Sequence, residues 1–455
     1  MADPPRILAA TTRPIEVLAR PFLRFAKVEA SSGLLLLAGT IAALIWANSS
    51  WVQSYDSMWS AQVSIALGRF ALTETRHEWI NDGLMAVFFL LVGLEIKREV
   101  LIGELSSLRQ AAFPLIAAIG GAVLPAFLYL LIAHGVDAQK GWAIPMATDI
   151  AFALGVLAIL GSRVPVSLKI FVTALAIVDD LIAVLVIAIF YTDRIQLVSL
   201  GLGLAGVALC IGANLLGVRK LAVYGIIGVF VWYAVLNSGI HATIAGVLLA
   251  LTIPARTQVE RDSFLKRSRR LIDRFEGEPP GSFEARSTIH ALEREVESVE
   301  SPLHRMEHLL HPWVSFAIMP LFAFANAGVR IWGNLGAAVK HPVSVGVAVG
   351  LFVGKPLGIW VSARMAGESR LASPPPELSW RALFGAAWLS GIGFTMSLFI
   401  ATLAFGEGVL LDMAKIGILA ASVTSGACGS VFLIRCSGSA ASQSGPGPET
   451  AIERM

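Results

Sequence analysis

The sequence predicts an all-α integral membrane protein of about twelve transmembrane helices, and three observations carry that prediction. Of 455 residues, 56% are hydrophobic and only 15% are charged, whereas a soluble domain needs about a quarter charged residues to wet its surface. The mean hydropathy is +0.72. Apolar runs long enough to cross a hydrocarbon layer of about 30 Å recur along the whole chain. A single soluble core is excluded, because such cores stop growing near ~250–300 residues.

The runs fall at 33–50, 82–101, 110–133, 142–161, 166–191, 197–217, 221–237, 239–254, 311–332, 342–366, 380–405 and 412–435. The weakest stretch is 221–254, which Asn237-Ser238-Gly239 divides into two short spans. The basic residues fix the count, because inner segments of a membrane protein collect Lys and Arg. With twelve spans and both termini inside, the outer loops keep only Arg69, Arg76, Lys140, Arg194, Arg330, Lys340 and Lys415. Merging 221–254 into one helix reverses the second half and destroys this asymmetry.

The expected layout is an N-terminal interfacial segment 1–32, helices one to eight in 33–254, a charged inner loop 255–310, helices nine to twelve in 311–435 and a flexible tail 436–455. Basic and apolar residues alternate over 13–30, as in a helix lying on the membrane surface. The first apolar run starts near Gly33, late for a secretory signal, and lacks a cleavage pattern. Residues 62–75 alternate apolar and polar around Gly68-Arg69, the pattern of a short β-hairpin on the outer face. Its exposed edge could pair with a second copy. The loop 255–305 reads as a solvated connector with helical pieces around Pro279-Pro280-Gly281.

Several function classes fall away. The net charge of +3 is too small to argue for nucleic acid. Cys210, Cys428 and Cys436 show no metal spacing. Gly201, Gly203 and Gly206 spell GxGxxG, but inside an apolar span with no preceding strand, which excludes a nucleotide loop. No nucleophile–base pair suggests an enzyme.

An ionisable residue at mid-membrane costs about 2.5–3.5 kcal/mol on insertion scales, so it marks function by default. Asp149, Asp179, Asp180 and Lys355 are the four that lie well inside spans. Three carboxylates against one lysine leave surplus negative charge, which a bound cation or bound protons must neutralise. A site that holds one or the other is an exchanger in outline. Neighbours on a helix point about 100° apart, so Asp179 and Asp180 need different partners. One meets Lys355 and the other turns toward Asp149. Hard oxygen ligands suit Na⁺ or Li⁺, and no soft His/Cys set is at hand for a transition metal.

The span bearing Asp149 is interrupted, because Pro145 removes a donor and disfavours helix at Ile144, just before Thr148-Asp149. Gly391 and Gly393 interrupt 380–405 in the same way. Each broken helix is the middle member of a triplet, 110–191 and 342–435, and the two triplets face opposite ways across the membrane. That is an inverted-topology plan of two three-helix repeats with broken, crossing helices. Gly346, Gly350, Gly354 and Gly358 recur every fourth residue, giving the Lys355 helix one smooth face for close packing. At the inner edge Glu95, Lys97, Arg98 and Glu99 follow one span, and Glu307, His308 and His311 precede another. Histidine titrates in the physiological range, so this cluster is a candidate pH sensor.

At these residues the sequence resembles the NhaA family of bacterial Na⁺/H⁺ antiporters, a family that itself exemplifies the inverted-repeat plan. The matching blocks include INDGLMAVFFLLVGLEIKRE, GWAIPMATDIAFALGVLAILGSRVP, ALAIVDDLIAV, HPWVSFAIMPLFAFANAG, GKPLGI and GIGFTMSLFIA, in order from about residue 79 to 435. The resemblance implies electrogenic, pH-regulated export of Na⁺ or Li⁺ in exchange for protons across a bacterial inner membrane. It implies no cofactor beyond the transported ions, no organic substrate, a lipid environment, and a homodimer joined through the outer hairpin. It makes Asp180 the main ligand, with Asp149 and Thr148 assisting, and pairs Asp179 with Lys355. Glu95, Arg98, Glu307, His308 and His311 match its pH-responsive funnel. The longer charged loop and the tail depart from the family pattern. A sodium-coupled symporter and a channel are the rival classes.

Overall fold

The computed structural model describes residues 14–67, 70–103, 105–192, 195–256, 261–279, 281–331, 335–375 and 378–441. Residues 1–13, the hairpin tip Gly68-Arg69 and the tail beyond 441 lie outside the described residues. Among the described residues, eight helices are long and apolar enough to cross a membrane, and two bent pairs raise the number to ten. Two shorter apolar helices complete the set, so every expected run is helical.

The first helix, α1 (Pro14–Ala47), carries the amphipathic stretch straight into the first span. A 116° bend leads to α2 (Val52–Ser60). Strands β1 (Gln62–Leu67) and β2 (Phe70–Thr75) then pair antiparallel, with Gln62 opposite Thr75. Trp79 Nε1 donates to the Val63 carbonyl at 3.1 Å and ties the hairpin to the next span. That span, α3 (Arg76–Leu101), begins earlier than the apolar run does. Thr75 caps it in a reciprocal box with Glu78, so polar residues form its first turn.

The first triplet is α4 (Leu108–Ile132), a broken span made of a 3₁₀ segment Lys140–Met146 and α5 (Ile150–Leu160), and α6 (Val166–Phe190). Helices α7 (Leu197–Leu215), α8 (Leu221–Leu236) and α9 (Thr243–Thr252) follow, with the break expected at Asn237–Gly239 in place. The charged loop folds into α10 (Arg261–Gly277) and α11 (Phe283–Val299). Helix α12 (Pro302–Asn326) starts ahead of the expected boundary at 311, because Ser301 caps it and Pro302 fits its first turn.

The second triplet is α13 (Pro342–Glu368), the pair α14 (Trp380–Ser390) and α15 (Phe394–Phe405) bent by 44°, and α16 (Val409–Ala441). Lys415, expected in an outer loop, sits inside α16 and is buried. The glycine stripe of α13 packs on α4. A Cβ at Gly354 would stand 2.7 Å from Pro125 Cα, and one at Gly350 2.6 Å from Pro145 Cβ. A π-turn, Gly350–Gly354, comes immediately before Lys355.

The polarity is that of a bilayer protein. Ile119, Val123, Phe127, Leu130 and Leu131 of α4 are exposed, a face suited to hydrocarbon, while Asp149, Asp179, Asp180 and Lys355 are buried. Helix α3 separates two faces: the hairpin lies at its start, and its end meets the first turns of α12 beside the charged loop.

Candidate functional site

The two broken spans cross where their helices stop. The 3₁₀ segment ends at Met146, just after Pro145, Ala147 is extended, and Asp149 at φ −86° and ψ 100° caps α5, accepting from Phe152 N at 3.0 Å. The Asp149 backbone N–H donates to the Ile392 carbonyl at 2.7 Å, joining one break to the other. Ser397 Oγ donates to the Ile144 carbonyl at 2.8 Å in the reverse sense. Gly393 is required here: a Cβ would stand 2.8 Å from Leu351 Cδ2 and 3.1 Å from the Ala147 carbonyl. Gly391 is equally confined, 2.6 Å from the Leu351 carbonyl by the same measure.

The aspartate pair divides as the 100° turn requires. Asp179 Oδ2 lies 2.8 Å from Lys355 Nζ, with both side chains essentially inaccessible. Lys355 also donates to the Met146 carbonyl, which the proline break leaves without a helical partner. Thr148 Oγ1 donates to the same Asp179 oxygen at 2.6 Å and lies 3.0 Å from the Ser390 carbonyl. Thr148, expected to assist at the ion site, thus bonds Asp179. Asp179 Oδ1 is buried without a hydrogen bond.

Asp180 turns the other way, into a cavity of about 110 Å³ that it lines together with Asp149 and Thr395. Thr395 escaped the sequence reading. Its N–H donates to Asp149 Oδ2 at 3.0 Å and its hydroxyl donates to the same atom. Lysine on Asp179, and hydroxyl and amide on Asp149, leave the Asp180 carboxylate as the least committed anion; among the described residues no donor bonds to it.

The other end of the cavity is lined by Glu95, Arg98, Glu307 and His311. Arg98 forms an ion pair with Glu307 and a second with Glu99 at 3.1 Å. Four of the five expected pH-responsive residues thus share one cavity with the carboxylates. His308 does not line it. It meets His304 instead, with their Nε2 atoms 3.0 Å apart.

A second group of polar residues lies toward the hairpin face. A separate cavity of about 470 Å³ lies there, lined by Tyr55, Asp56, His77, Arg330, Glu407 and Lys415. Along the chain three buried phenylalanines fall between the two sets of lining residues: Phe89 on α3, Phe322 on α12 and Phe399 on α15. Phe399 contacts both others, at ring-centroid distances of 5.5 and 6.2 Å. Beyond them Asn81, His77 and the buried Asn326 bond to one another across α3 and α12.

A helical membrane bundle whose broken spans cross at buried carboxylates, beside a cavity that also holds Glu95, Arg98, Glu307 and His311, is a transporter for small cations. The family model for the Na⁺/H⁺ antiporter 1 family matches residues 23–433, and the chain belongs to that family. It is similar to a Na⁺/H⁺ antiporter NhaA of Koribacter versatilis, 64% identical over 97% of both chains. It is also similar to a Na⁺/H⁺ antiporter NhaA of Oleidesulfovibrio alaskensis, 48% identical over 92% of this chain and 95% of the relative. A third, Na⁺/H⁺ antiporter NhaA 2 of Syntrophotalea carbinolica, is 49% identical over 93% and 98% respectively.

Proposed function

We propose that the chain exchanges Na⁺ or Li⁺ for protons by competition at Asp180 and Asp149, with more protons than cations moved per cycle. The observation that carries this is the placement of Asp180 on the cavity it shares with Asp149, while Lys355 is taken up by Asp179. Deprotonated Asp180 and Asp149 accept a dehydrated cation through hard oxygens. Protons arriving from the other face displace it, because crowded carboxylates bind protons as a unit. Asp179 and Lys355 form a second, neutral unit whose separation during rearrangement gives a further proton-carrying group. Rocking of the two breaks against each other moves the shut layer from the Phe89–Phe322–Phe399 side to the Arg98–Glu307 side.

The charged loop and both termini belong on the cytoplasmic side of a bacterial inner membrane, as the lysine and arginine distribution supports. Glu95, Arg98, Glu307 and His311 then stand where cytoplasmic pH acts on cation entry. The hairpin, with Val63 and Ile65 exposed, offers an edge for a second copy. Dequenching of a ΔpH dye in everted vesicles on addition of Na⁺ or Li⁺, followed across about pH 6.5–9 around histidine titration, tests the reading. Saturable, cation-dependent proton movement that rises with pH is expected. Movement that needs an added organic solute would favour a symporter instead.

A further inference from the structure

We infer that Glu300, His304 and His308 form a binding site for a divalent transition-metal ion of the zinc class, separate from the sodium site. Glu300 closes α11 with an extended backbone, and Ser301 and Pro302 then start α12. His304 and His308 stand four residues apart on α12, the spacing by which one helix face offers two imidazoles to a single zinc ion. Their Nε2 atoms are 3.0 Å apart, and Glu300 Oε1 is 3.8 Å from His304 Nε2. All three ligand atoms lie within 4.8 Å of one another. Tetrahedral zinc with bonds of about 2.0–2.1 Å separates its ligand atoms by about 3.3 Å, so small side-chain rotations suffice. Three protein ligands leave the fourth position to water, and the group is open enough for an ion to enter from solution, with His308 exposed.

The surroundings complete the arrangement. A metal-bound imidazole commonly points its other nitrogen at a carboxylate, which fixes the tautomer and raises its basicity. His304 Nδ1 lies 3.9 Å from Glu307 Oε2, a buried oxygen with no hydrogen-bond partner of its own. The other oxygen of Glu307 pairs with Arg98 at the cavity mouth. A bound ion therefore clips the end of the charged loop to α12 and adjoins the cavity through Glu307. The mixed nitrogen and oxygen set distinguishes this site from the all-oxygen sodium ligands.

The test uses the full chain in detergent, purified by a tag without histidine, with Zn²⁺ titrated against a chromophoric chelator. One Zn²⁺ per chain held against the chelator is expected. Co²⁺ in place of Zn²⁺ should give the strong visible bands of a tetrahedral centre. H304Q and H308Q should each weaken Zn²⁺ binding by more than about 100-fold, since losing even an outer partner of a metal ligand costs about 10–100-fold. E300Q should weaken it less. Gel-filtration profiles matching the unsubstituted chain establish that the variants are folded. Absence of Zn²⁺ uptake by the unsubstituted chain, or uptake unchanged in both histidine variants, would overturn the assignment; a histidine pair joined only by a hydrogen bond gives the first result.

Discussion

The Lys355–Asp179 pair gives the sharpest energetic prediction. At 2.8 Å and with both groups inaccessible, their attraction at an effective dielectric constant of about 20 is about 6 kcal/mol. Most of that is offset by the cost of taking both charges out of water, so a neutral pair of similar volume should be nearly as stable. Removing one partner is different, because it strands the other charge, and the usual cost is about 3–5 kcal/mol. Lys355→Met leaves Asp179 with only the Thr148 hydroxyl, and Asp179→Asn leaves Lys355 with only the Met146 carbonyl as a strong acceptor. Each single variant should unfold at clearly lower temperature or denaturant, while the double variant Lys355→Met/Asp179→Asn should recover more than half the loss. Unfolding followed by tryptophan fluorescence in detergent gives the double-mutant cycle directly. A double variant whose loss equals the sum of the single losses would refute the claim that the pair is a mutually dependent unit.

The remaining predictions concern other parts of the pathway. Thr395→Val removes a hydroxyl bond to a buried carboxylate, worth about 1.5–3 kcal/mol, so the apparent KM for Na⁺ should rise at least about tenfold in vesicle assays. An unchanged KM would show that Asp149 needs no positioning by α15. Phe399→Ala opens the aromatic layer and, by cavity formation, costs about 3–5 kcal/mol; vesicles carrying it should lose a preset ΔpH without added Na⁺, whereas Phe399→Leu should hold it. Gly354→Val drives a side chain into Pro125 and should lower both yield and unfolding temperature, while Gly201→Ala, with open space around it, should change neither. Deleting the hairpin 62–75 should convert a dimer into a monomer by light scattering, and a dimer that persists would place the interface elsewhere.

How far the sequence carried these conclusions depended on the kind of signal. Charge in an apolar run is legible without neighbours, so Asp149, Asp179, Asp180 and Lys355 stood out at once. Helix geometry required different partners for the two aspartates, and the family resemblance assigned Asp179 to Lys355. Pro145 and the glycines at 391 and 393 announced the breaks, because they act on their own backbone. Thr395 gave no such signal. A neutral hydroxyl in an apolar helix usually bonds its own backbone, as Thr402 does to the Leu398 carbonyl, and only the crossing shows that Thr395 turns to Asp149. Thr148 was legible as a site residue but not in its choice of Asp179. Helix starts at Arg76 and Pro302 were hidden by polar first turns that caps make helical. The phenylalanine layer could not be told from ordinary core, since its meaning lies in what separates the two cavities. Lys415 read as a loop residue because it lies in the opening turns of α16, where composition alone does not fix depth.

The central claim is that Asp180 is the carboxylate at which cation and proton compete. Asp180→Asn keeps the size of the side chain and removes its charge, so the helix and the Asp179–Lys355 pair should stay intact. The direct measurement is Na⁺-driven proton flux in everted vesicles, at matched amounts of folded protein. The account predicts no flux above that of vesicles lacking the protein, at any Na⁺ concentration. Saturable exchange retained by Asp180→Asn would contradict it.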